Sequence, residues 1–197
     1  MSVPVYVERI STFIPGETGE RFYAEIGRIV TLWGAVDGAL EMALKMINRP
    51  ERNRSLFTNN LKTHELRRDA LKAWLRSDST LEHVKHDGEK ILEAVARIKV
   101  DRDYFAHGQV LEFINTDPPR INFSKISLSR GRRSDVRTFE LSRLKGLSSD
   151  LEKLRYAALA FSAGAVGDDS MAAAEIYALA KSRFAVDLEN LNTFRKS

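Results

Sequence analysis

Arg102-Asp103-Tyr104-Phe105-Ala106-His107 is the stretch of this chain whose residue types and spacing suit chemistry. A guanidinium offers a planar fork of donors that fits phosphoryl oxygens. An imidazole titrates near neutral pH and can move a proton. Asp103 and His107 are four residues apart, so on a helix they are neighbours on one face. The carboxylate is thereby expected to accept a hydrogen bond from one ring nitrogen and fix the tautomer at the other. On an ideal helix Arg102 and His107 lie about 140° apart around the axis and about 7.5 Å along it. A long arginine side chain, or unwinding at Gly108, brings both to one ligand. Such a pair is directed at phosphate and needs no metal ligand set. The structural alternative is a surface Arg102–Asp103 pair, with His107 favourable at a helix C-terminus.

These residues require a helix that ends at Gly108, and the pattern supplies one. Ser79-Thr80-Leu81-Glu82 has the form of a capping box. Leu81, Val84, Ile91, Val95, Ile98 and Phe105 then share one stripe, and Arg102 continues it. Gly108 stands where a left-handed cap is expected. Two helices precede. One runs from about Gly19 to Asn48, with Phe22, Ile26, Ile29, Trp33, Leu40, Leu44 and Ile47 at three- and four-residue steps and Pro50 marking its end. Another runs from about Thr63 to Arg76, with Leu66, Ala70, Ala73 and Trp74 inward. Residues 1–16 read as irregular and 51–60 as loop.

After Gly108 the period changes. Gln109–Asn115 and Ile121–Leu128 alternate like strands around the turn signal Asp117-Pro118-Pro119, and Val136–Leu141 reads as a third strand. The link Ser129-Arg130-Gly131-Arg132-Arg133-Ser134 is basic. A helix from about Ser142 to Val166, a break at Gly167-Asp168-Asp169 and a last helix from about Ser170 to Arg183 that leads into a polar tail follow. The expected fold is mainly α: an up-and-down helical bundle in one domain, 1–197, with a small antiparallel β-meander inserted at about 109–141, after the third helix.

Around this motif the chain resembles the HEPN family of helical nucleotide-binding domains. Arg102, a polar residue, and His107 after four intervening positions, with Ala106 before the histidine and Gly108 after it, look like that family's motif. Ile29-Val30-Thr31-Leu32-Trp33 followed by Leu40 is similar to its first long helix. The resemblance covers the first three helices and the fourth, not the meander. It implies a metal-independent endoribonuclease of toxin or defence type, acting as a homodimer whose two motifs share a cleft. It further implies that Arg102 stabilises charge on the scissile phosphate and that His107 is general acid or base as the ribose 2′-OH attacks. Asp103 fills a polar slot where Asn is commoner. An antitoxin or regulatory protein is an implied partner. One branch of the family carries, two residues after the histidine, a Tyr that a nucleotidyltransferase antitoxin modifies. Gln109 stands there here, so that particular partner is not implied.

Two further sets of residues bear on substrate. Asp37 falls on the apolar stripe of the first helix and is a candidate to face the site and pair with Arg102. Arg130, Arg132 and Arg133 are candidate phosphate contacts at a hairpin tip. His64, His83 and His86 do not form a metal set, since His83 and His86 are three apart but no third ligand follows at a suitable spacing, and no cofactor motif is present.

Composition sets the bounds. The 197 residues suffice for a core, and 43% hydrophobic with 29% charged residues is ordinary for a globular protein. Cysteine is absent, which excludes disulfides, thiolate metal sites and a cysteine nucleophile. The net charge of +4 tilts the choice towards an anionic partner. No secretory signal pattern opens the chain and no apolar run reaches membrane length, so a cytoplasmic location is expected, with no membrane partner. The alternative functional reading is a non-catalytic helical module binding RNA, a nucleotide or a protein.

Overall fold

The computed structural model describes residues 16–47, 61, 63–114, 116–127, 133–165 and 170–183. Within them the protein is mainly helical, with five α-helices and a three-stranded antiparallel sheet inserted after the third. The elements are α1 (Gly16–Ile47), α2 (His64–Ser77), α3 (Glu82–His107), β1 (Gln109–Ile114), β2 (Arg120–Ser127), β3 (Arg133–Glu140), α4 (Leu141–Gly164) and α5 (Ser170–Arg183). The expected break at Gly167-Asp168-Asp169, the 51–60 loop and the tip residues Arg130 and Arg132 lie outside the described residues. None of the described helices is long and apolar enough to cross a membrane.

The chain divides into two compact units, residues 1–30 with 99–148, and 31–98 with 149–197. In the first unit the sheet order is β1-β2-β3, a meander. Ile121 pairs with Phe139, Phe123 with Arg137 and Lys125 with Asp135. Alternation puts these six on one face of the sheet. The face is apolar at one end, where Ile121, Phe123 and Phe139 are buried, and charged at the other. Phe105 of α3 packs on the apolar end, its ring centroid 5.3 Å from that of Phe123 and 4.7 Å from that of Phe139. Phe22 of α1 meets Phe113 of β1 edge to face at 5.8 Å. The Phe105 contacts seat the last turns of α3 on the sheet, and the Phe22 contact joins the start of α1 to β1.

The second unit is helical. Trp33, Val36, Leu40, Leu44 and Ile47 of α1, Leu71 and Leu75 of α2, Val84, Ile91, Leu92 and Val95 of α3, and Leu154 and Phe161 of α4 form its core. On α2 the buried stripe is His64, Leu71 and Leu75, whereas Leu66, expected inward, is 47% exposed. The stripe is thus rotated from the expected one, because the histidine packs against Trp33 with ring centroids 4.9 Å apart. Thr63 caps α2, its Oγ1 accepting from the Leu66 amide at 3.3 Å. Before α3 the cap is Asp78 rather than Ser79. Its Oδ1 accepts from the amide and hydroxyl of Thr80, and Ser79–Leu81 form a 3₁₀ turn instead of the first helical residues.

Candidate functional site

The last two turns of α3 carry charges in close succession: Lys99, Asp101, Arg102, Asp103 and His107. Asp101 and Asp103 are both buried, at 8% exposure each, and a buried carboxylate needs partners. The charged end of the sheet supplies them. Asp101 accepts from the guanidinium of Arg137 on β3 and from Arg143 Nη2 of α4 at 2.9 Å. Asp103 Oδ2 accepts from Lys99 Nζ at 2.6 Å and from Lys125 Nζ of β2 at 3.2 Å, while Oδ1 accepts from Arg102 Nη1 at 3.1 Å. The Tyr104 hydroxyl donates to Asp135, and the Arg137 guanidinium lies 5.0 Å from the Tyr104 ring centroid. The helix end is therefore tied to β2, β3 and α4 by charge as well as by aromatic packing.

Arg102 and His107 are brought together. The same Nη1 that donates to Asp103 lies 3.5 Å from His107 Nε2, a long contact at the limit of hydrogen bonding. The arginine side chain closes the angular gap that an ideal helix leaves between the two positions. Arg102 is mostly buried, whereas the imidazole at the helix end is exposed.

Asp103 does not serve His107 as its spacing suggested. The hydrogen bonds of its carboxylate go to Lys99, Lys125 and Arg102, and it touches the imidazole only through Arg102. The reason is electrostatic: charge-assisted bonds from cations are about twice as strong as neutral ones, so ammonium groups within reach displace an imidazole. Burial pushes the Asp103 carboxyl up, but the bonds from Lys99 and Lys125 and their charges outweigh that and hold it below the usual carboxylate range. Asp103 is thus a positioning residue for Arg102. One anion among Lys99, Arg102 and Lys125 leaves the cluster with an excess of two positive charges.

Gly108 ends the helix, but not in a left-handed conformation; among the described glycines only Gly16 has positive φ. Glycine is needed for close approach instead. Its amide donates to the Tyr104 carbonyl at 2.9 Å, and a Cβ would lie 2.3 Å from that oxygen and 3.0 Å from the Ser124 carbonyl oxygen.

Asp37, the other acidic candidate, has different partners from the one expected. It belongs to the helical unit, where His64 Nδ1 lies 2.7 Å from Oδ1 and Arg67 donates to Oδ2. Residues 64 and 67 stand one turn apart on α2 and reach the same carboxylate. Burial raises the Asp37 carboxyl, and the His64 bond with the Arg67 charge more than compensates, leaving it below the ordinary range. Arg133 begins β3, though its side chain is outside the described residues, as are Arg130 and Arg132 entirely.

Lys99 and Lys125 were not among the sequence candidates. A signal existed for Lys125. It continues the inward alternation of Ile121 and Phe123, at a position where a half-buried strand calls for an apolar residue.

No protein-family model, no curated protein and no solved structure matches the chain.

Proposed function

We propose that this protein is a HEPN-like, metal-independent endoribonuclease of toxin or defence type that works in the cytoplasm as a homodimer. The observation that carries the reading is Arg102 Nη1 at 3.5 Å from His107 Nε2, within a cluster of net positive charge at the end of α3. A cationic fork beside a proton-transfer group suits phosphodiester cleavage, one stabilising charge on the phosphate and the other moving the proton. Arg102 holds a non-bridging oxygen of the scissile phosphate. One imidazole takes the 2′-OH proton as that oxygen attacks phosphorus, the P–O5′ bond breaks, and a protonated imidazole returns a proton to the leaving 5′-oxygen. The products are a 2′,3′-cyclic phosphate and a 5′-hydroxyl. A single His107 cannot be base and acid in one concerted step, so the reading pairs two protomers across one cleft. An antitoxin or regulatory protein would then act by covering that cleft.

The test is incubation of the purified chain with mixed cellular RNA in the presence of EDTA. Cleavage products ending in cyclic phosphate are expected, and His107→Ala should lower the rate about 10²–10⁴-fold, the usual worth of general acid–base catalysis. Absence of cleavage, or equal cleavage by the variant, rejects the reading. One observation favours a second reading, that of a non-catalytic RNA-binding module: Asp103, the carboxylate that the spacing assigned to His107, is bonded to Lys99, Arg102 and Lys125 instead. RNA binding without cleavage in the same experiment would select it.

A further inference from the structure

Lys125 is an unusual residue for its place. On β2 the inward positions run Ile121, Phe123, Lys125, and the first two are buried in the aromatic cluster. The third carries a charge towards α3, where its Nζ donates to Asp103 Oδ2 at 3.2 Å. That bond uses one of three N–H donors. The side chain keeps 36% exposure, so a ligand arriving from solvent meets the others. Lys99 supports the same oxygen from one helical turn away, at 2.6 Å. Arg102 lies on the opposite oxygen of the carboxylate, at 3.1 Å. Asp103 therefore does two things. It partly neutralises a dense cationic patch, and it holds the two lysine heads on one oxygen and Arg102 on the other.

We propose that Lys125, backed by Lys99, forms a second phosphate subsite beside the Arg102–His107 pair, and that the meander is present in this chain to supply it. The ligand is an RNA strand held through two backbone phosphates, one at Arg102 and its neighbour at Lys125. This deepens the nuclease reading above and rests on it for the identity of the polymer. The subsite makes its own demand on binding, separate from cleavage.

The experiment uses the full chain and a short fluorescein-labelled 2′-O-methyl oligoribonucleotide, which offers backbone phosphates but has no 2′-OH to attack. Anisotropy gives Kd across a series of KCl concentrations. Loss of one phosphate contact on a single strand lowers the slope of log K against log salt by about 0.7, which at about 0.1 M salt weakens binding about fivefold. Lys125→Gln should show both changes, Lys125→Arg should restore them, and Lys145→Gln, an exposed lysine of the same unit on α4, should show neither. Thermal melts of each variant accompany the titrations, and Lys125→Arg separates charge from fold. Wild-type affinity and slope in Lys125→Gln would overturn the subsite, as would Lys125→Arg binding no better than Lys125→Gln. A wild-type chain that does not bind the oligonucleotide would overturn the subsite and the RNA reading together. The predicted Lys125 pattern in a protein that cleaves no RNA would establish the subsite and reject the nuclease.

Discussion

Gly108→Ala is the most direct perturbation of the helix end. The added methyl would lie 2.3 Å from the Tyr104 carbonyl oxygen and 3.0 Å from the Ser124 carbonyl oxygen. Both obstacles are backbone, so no side chain can turn aside to make room. Relief requires either breaking the 2.9 Å bond from the Gly108 amide to Tyr104 or moving β2 away from α3. Overpacking of this kind costs about 1–3 kcal/mol. For a chain of this length each kcal/mol moves Tm by about 2–4 °C, so a fall of about 2–12 °C is expected. Gly146→Ala, on α4 in the same unit, is the matched control. Nothing lies within 4 Å of a Cβ there. An alanine at such a helical position stabilises by about 0.4–1 kcal/mol through the unfolded chain, so Tm should rise. Scanning calorimetry on both variants and the wild type reads the contrast. A Gly108→Ala protein that melts at or above the wild-type temperature would refute the close-approach argument. So would a pair of variants that shift together.

Two further expectations concern pH. Asp87 of α3 resembles Asp37 and Asp103: burial raises its carboxyl, but bonds from Lys181 Nζ and the Tyr177 hydroxyl of α5 outweigh that, so all three lie below the ordinary value of 3.8 in the folded state. The stability they contribute is present above the unfolded value and is lost as pH falls through the lower folded values. Urea midpoints should therefore drop below about pH 4, and Asp103→Asn should flatten part of that drop; a midpoint unchanged in acid contradicts this. Asp150 has the opposite sign, because burial raises its carboxyl and only the charge of Lys153 opposes the shift. Its ionisation costs stability at neutral pH, so Asp150→Asn should raise the midpoint at pH 7, with the gain vanishing in acid below the unfolded value. A variant less stable than wild type at pH 7 would count against that account.

The fold was legible where one period dominates. The stripes of α1 and α3 and the alternation of β2 each bury one face, so the residues on that face announce the element. The buried face of α2 was not, because Leu66 and Trp74 compete with it. The deciding partner is Trp33, far along the chain, against which His64 packs. Gly108 was legible as a glycine but not for its reason, since the Ser124 carbonyl that crowds it comes from another element. Around Asp103 the helix gave two answers at once. Lys99 and His107 both lie four residues away, one towards each end. The charge of the lysine decides between them, and that much could be argued from sequence. The third cation, Lys125, comes from the sheet, 22 residues along the chain, and the Arg137 and Arg143 partners of Asp101 are farther still, at 36 and 42 residues. Such ties depend on register and docking, which residue types alone do not carry.

The reassignment of Asp103 changes how the proposed chemistry would run. Had the carboxylate held the imidazole, the tautomer would be fixed in the resting protein and Arg102 would act alone on phosphate. Instead the imidazole meets Arg102, whose Nη1 faces Nε2 at 3.5 Å. A donor aimed at that nitrogen favours a proton on Nδ1 and occupies the lone pair that a base would use. The contact is long, and phosphoryl oxygens are stronger acceptors for a guanidinium than an imidazole is. An arriving phosphate would draw Nη1 away and release Nε2 for proton transfer. Asp103 limits how far Arg102 can travel, because it holds the same Nη1 at 3.1 Å. On the proposed reading, substrate binding and exposure of the base are then one event. The carboxylate serves the histidine indirectly, by keeping the arginine within reach of both.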